Sequence, residues 1–144
     1  MLYVAAAPGR RLAQLEAHLA RLKAELSEVN PQYNELYAEQ REAQKAQQAA
    51  EKAADTARAY LGEGIAGADE AFAEATTHLN DCQADYRDIT KGIEQAGERI
   101  NAIHTSMNTI YAAIAAISAK EASAAKGALL VLLLCLATAL PHGS

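Results

Sequence analysis

The sequence predicts an all-α fold: a long antiparallel two-helix coiled-coil hairpin, with helices over about 10–61 and 69–120, plus a short apolar C-terminal helix. Three observations lead there. Apolar and small residues recur in alternating steps of three and four along two stretches, a glycine-rich break separates the stretches, and the two match when the chain is folded about that break.

Residues 1–9 read as an irregular lead, punctuated by Pro8-Gly9 before the first helix. The opening MLYVAAAPGRR places its basic residues after its apolar stretch, the reverse of a secretory signal, so no cleaved export signal is expected.

Helix one carries Leu12, Leu15, Leu19, Leu22, Leu26, Val29, Tyr33 and Leu36, then Gln40, Ala43, Gln47, Ala50, Ala54, Ala57 and Leu61. A 3.5-residue repeat gives a helix one seam, and a seam is an assembly surface rather than a pocket. Pro31 falls inside this ladder, where it removes an intrahelical hydrogen bond and predicts a kink or break. With Gly92 and Gly97 on helix two, Gly97 near its own level, it forms a candidate hinge. A bend without a role and a helix stop at Asn30 are the alternatives.

The break GEGIAG, 62–67, supplies Gly62, Gly64 and Gly67, which accept the positive φ of a helix end and a turn. Asp69 and Glu70 then put negative charge at the start of helix two, where the helix dipole favours it.

Helix two resumes the ladder at Phe72, Ala75, Leu79, Cys82, Tyr86, Ile89, Ile93 and Ala96, and continues through Ile100, Ile103, Met107, Ile110, Ile114 and Ile117. Folding about the centre of 62–67 makes antiparallel partners sum to 129. Fourteen seam pairs then join ladder to ladder, among them Leu12 with Ile117, Leu19 with Ile110 and Leu26 with Ile103. Sizes also complement: Tyr33 meets Ala96, Ala43 meets Tyr86, and Ala57 meets Phe72. The hairpin domain is thus 10–121, with large aliphatic layers at its open end and alanine-rich layers near the loop. Gln40 and Gln47 stand at seam positions, where polar groups lower stability but fix register.

Beyond the ladder, residues 122–144 form an apolar C-terminal segment whose centre, GALLVLLLCLATAL at 127–140, has no charge. Leu129, Leu130, Val131, Leu132, Leu133, Leu134 and Leu136 make it a candidate membrane or assembly segment. Fourteen helical residues span about 21 Å, short of a hydrocarbon core of about 30 Å. Extension back through Ala122–Lys126 brings the length close to a span, with Lys126 snorkelling to the headgroups. Lys120 and Lys126 precede the segment, which predicts that the hairpin stays on the cytoplasmic side.

Composition narrows the function classes. Of 144 residues 51% are hydrophobic, a share swollen by alanine; aromatic residues are 5% and tryptophan is missing, so no deep aromatic core is expected. The net charge of −5 comes without a basic stripe of the kind that neutralises phosphates, so nucleic-acid binding is not expected. The acidic residues Glu74, Asp81, Asp85 and Asp88 on helix two read as a solvated face or as a docking surface for a basic partner. Cys82 and Cys135 form no disulfide framework and fit a reducing compartment.

His78 and Cys82, four apart, share a helix face at metal-ligand spacing, but no second pair completes a site. His18, His104 and His142 show no partner pattern. Tyr60 and Tyr111 flank the seam as packing residues, and the glycines lack the lysine of a phosphate loop. No metal, cofactor, small-molecule substrate or enzyme activity is expected. The expectation is a membrane-associated coiled-coil scaffold or adaptor, anchored or inserted through its tail, that self-assembles as a homo-oligomer or binds helical protein partners. A soluble structural component of a large assembly, such as a virion or secretion component, with the tail buried between subunits, is the alternative. A pore-forming helical hairpin is the third.

Overall fold

The computed structural model describes residues 8–139, which form two helices, α1 (Pro8–Gly62) and α2 (Ala68–Ala139). The fold is all-α. The lead 1–7 and the end of the apolar run from Leu140 lie outside the described residues.

Helix α1 begins at Pro8, two residues before the expected start. Proline is suited to a first helical turn, because its missing N–H would have no intrahelical partner there and its φ is already helical. The helix does not stop at Asn30 but continues through Pro31. One intrahelical bond is forfeited at that point. Packing on either side compensates, with Val29 only 2% exposed and Tyr33 half-buried.

The turn is built by glycine. Ile65 N–H donates to the Tyr60 carbonyl and Gly64 N–H to the Leu61 carbonyl, each at 3.2 Å, with Gly64 at φ 72°. This is the Schellman arrangement, which satisfies the last carbonyls of α1 and strains any residue with a Cβ at the left-handed position. Gly67, at φ 80°, then offers its carbonyl to Ala71 N–H at 3.2 Å, the bond that opens α2. Asp69 and Glu70 occupy the first turn.

The separate short apolar helix of the sequence reading is corrected. α2 runs unbroken for 72 residues to Ala139, and the apolar run is its final part. The ladder ends after Ile117 because it marks which face is covered, whereas backbone continuity follows propensity. Alanine, lysine, glutamate and leucine dominate the stretch beyond and are strong helix formers, so the about 1 kcal/mol cost of Gly127 is absorbed.

The helices divide into two compact units. In Glu25–Ala102, α1 and α2 run side by side in opposite directions from the turn. Arg58 lies over the Phe72 ring at 5.8 Å, Gln40 Nε2 donates to Thr90 Oγ1 at 3.2 Å, and Arg99 Nη2 pairs with Glu25 Oε1 at 2.8 Å. Ala50, Ala54, Ala57, Ala68, Cys82 and Ile93 are buried there with Val29. The other unit takes α1 up to Ala24 and α2 from Ile103. Its buried residues are larger: Leu19, Ile103, Met107 and Ile110. Lys23 Nζ stands 5.9 Å from the centre of the Tyr111 ring. Since apolar burial stabilises by about 25 cal/mol per Å², alanine layers contribute much less per turn than these aliphatic ones.

Candidate functional site

The apolar segment is helix with no covered face. Leu129, Leu130, Val131, Leu132, Leu133, Leu134 and Leu136 are each 54–64% exposed. Because these residues are almost consecutive, at about 100° per residue they surround the helix completely, leaving no polar face to water. The one hydroxyl among the described residues of the run is already satisfied, since Thr138 Oγ1 donates to the Cys135 carbonyl at 2.9 Å. Cys135 carries a free, exposed thiol. Ala122–Lys126 are helical as well. The end of α2 is therefore long and apolar enough to cross a membrane, and none of that stretch is buried within the protein.

The seam residues occupy the inner faces of both units. Leu19, Ile103 and Ile110 are buried, and Leu12, Leu15, Leu22, Leu26, Ile100, Ile114 and Ile117 are half-buried. Gly92 and Gly97 sit where side chains of α1 pack: a Cβ on Gly92 would meet Leu36 at 3.6 Å, and one on Gly97 would meet the Tyr33 ring at 3.7 Å. Pro31 belongs to the same unit as both glycines.

Two polar arrangements escaped the sequence reading. Gln40 finds its partner in Thr90, whose own hydroxyl donates to the Tyr86 carbonyl at 2.8 Å. Tyr33 and Tyr37 share a hydroxyl hydrogen bond of 3.1 Å, with their rings edge to face at 87° and centroids 4.9 Å apart. The four-residue spacing of the tyrosines was a usable signal. Gln40's partner, fifty residues away, lies one residue from position 89, which the 129 register sets opposite it.

His78 Nε2 lies 3.8 Å from Cys82 Sγ, and no set of three metal-ligating side chains gathers among the described residues. Tyr60 and Tyr111 are nearly half exposed. An open groove of about 660 Å³ in the Glu25–Ala102 unit is lined by the apolar Ala38, Ala43, Ala46, Cys82 and Ile89 and by the acidic Glu35, Glu39, Glu42, Asp85 and Asp88. It combines apolar side chains with five carboxylates. No known protein family, curated protein or solved structure matches the chain.

Proposed function

We propose that the protein is a non-enzymatic, membrane-associated coiled-coil scaffold or adaptor, anchored through residues 127–140. The observation that carries this reading is the end of α2, apolar on all sides and uncovered. A helix of this kind in water exposes a continuous leucine surface that drives aggregation, whereas in hydrocarbon every face is at home. The internally bonded Thr138 hydroxyl supports the same reading, because a helix in lipid has no water to satisfy a free polar group. Helical continuity through Ala122–Ala139 gives eighteen residues, or about 27 Å, close to the thickness of the hydrocarbon core.

In this proposal the two ladders close as a single antiparallel hairpin, seam to seam, which is held on the cytoplasmic side. Lys120, just before the span, and Lys126, in its first turns and snorkelling back to the headgroups, set that orientation. The hairpin offers its outer faces to copies of itself or to helical partners, and the acidic groove suits a partner helix with basic flanks.

One comparison tests the anchor. The full chain and a form ending at Lys126 are expressed, and membranes are washed with carbonate. The full chain is expected to stay with the membrane and the shortened form to be released. A full chain that is released as a discrete oligomer overturns the proposal in favour of a tail buried between subunits.

A further inference from the structure

Charge is partitioned between the two units in a way that the whole-chain value of −5 conceals. The unit that carries the apolar run holds Arg10, Arg11, Arg21, Lys23, Lys120 and Lys126 against Glu16 and Glu121, a net of +4. The Glu25–Ala102 unit holds seven Lys/Arg against sixteen Asp/Glu, a net of −9.

Four of the six cations of the first unit fall within a band of about 10 Å along the helix axes, at the end that leads into the apolar run. Measured from the Lys23–Tyr111 contact, Arg10 and Arg11 lie thirteen and twelve residues back along α1, and Lys120 and Lys126 lie nine and fifteen residues on along α2. At 1.5 Å per residue these are about 20, 18, 14 and 22 Å in the same direction. Half-buried Leu12, Leu15, Ile114 and Ile117 keep the helices together over that distance. Gly127, where the apolar run begins, comes next. All four cations are exposed, and none pairs with a carboxylate among the described residues.

We infer that Arg10, Arg11, Lys120 and Lys126 form a basic collar that docks on anionic lipid headgroups at the foot of the inserted segment. This rests on the membrane reading above. A bilayer is the occupant because it presents phosphate just outside the hydrocarbon, as the collar presents cations over about the last 10 Å before the leucines begin. Each basic residue near an anionic surface strengthens partition about fivefold, so four together act by roughly several hundredfold. The unit at −9 gains nothing from such a surface.

The test uses the full chain, added from dilute detergent to vesicles of phosphatidylcholine alone or with roughly one third phosphatidylglycerol, at about 0.1 M and about 1 M salt. Flotation is expected to show roughly several-hundredfold tighter binding to the anionic vesicles at low salt, mostly lost at high salt. The combined Arg10→Gln, Arg11→Gln, Lys120→Gln and Lys126→Gln variant, checked for unchanged helicity by circular dichroism, is expected to bind both vesicles equally. The combination Arg41→Gln, Lys45→Gln, Lys52→Gln and Arg87→Gln, which removes as much charge from the acidic unit, is expected to keep the preference. Equal binding of the native chain to both vesicles, or an undiminished preference in the collar variant, overturns the collar and leaves the anchor standing. Binding to neither vesicle overturns both.

Discussion

Tyr33 and Tyr37 show how a single pair of side chains ties local structure to pH. Their shared hydroxyl bond raises the Tyr33 pKa above the ordinary 10.0, with desolvation and the charge of ionised Tyr37 adding to it. A group whose folded pKa is raised stabilises the fold below its unfolded pKa and loses that contribution as pH climbs through the raised value. The helices are therefore expected to weaken in alkali above pH 10, and Tyr37→Phe is expected to bring Tyr33 back toward 10.0. Tyrosinate absorbance followed against pH measures this, and an unmoved Tyr33 titration would contradict the pairing. Gly97 makes a second residue-scale case. A methyl group there lands at 3.7 Å from the Tyr33 ring, an ordinary van der Waals distance. Gly97→Ala is thus expected to raise stability by about 0.5–1 kcal/mol through helix propensity, read as a higher thermal midpoint. A loss of stability would mean that the backbone at Gly97 has to bend.

At the scale of the elements, the two units differ in what holds the helices together. Ile110, 5% exposed, has three buried carbons to lose on truncation to alanine, whereas Ala54, 6% exposed, has only its methyl group to lose. Ile110→Ala is expected to cost about 2–5 kcal/mol, against about 1 kcal/mol for Ala54→Gly, which is mostly propensity. Denaturant midpoints of the two variants check the ratio, and comparable losses would contradict it. The ladder made these layers readable. Every ladder residue from Leu12 to Ala57 and from Phe72 to Ile117 is buried or half-buried, while Leu61, at the end of α1, is exposed. A 3.5-residue period carries that information because it fixes which side chains share a face. It carries none about where a helix ends, so the continuation of α2 to Ala139 was hidden. Nor does it name the partner of a polar seam residue, since Thr90 meets Gln40 only through long-range pairing. The apolar run was legible from composition, whereas its complete exposure required coordinates.

For the whole molecule, a heptad seam says that a helix has a partner without saying whose helix it is. Within Glu25–Ala102 the partner helix comes from the same chain, as the Gln40–Thr90 and Glu25–Arg99 contacts show. Five residues, 63–67, join the helices, and the two Schellman bonds with Gly64 at positive φ aim the chain back along itself. A tether this short holds the partner helix at an effective concentration in the millimolar range, which a second chain matches only at comparable protein concentration. Leu19 and Ile110 test this, since both are buried in one unit and their numbers sum to 129. With Cys82→Ala and Cys135→Ala removing the native thiols, Leu19→Cys and Ile110→Cys together are expected to form a disulfide within one chain, running as monomer on a non-reducing gel. Predominant cross-linking between chains would place the seam between molecules. Gly64→Val sharpens the test, because a β-branched residue at φ 72° strains the turn by about 1–2 kcal/mol and leaves the seams untouched. If the turn is what keeps pairing within one chain, that variant shifts a measurable fraction of the disulfide from monomer to dimer, and the fraction rises with protein concentration.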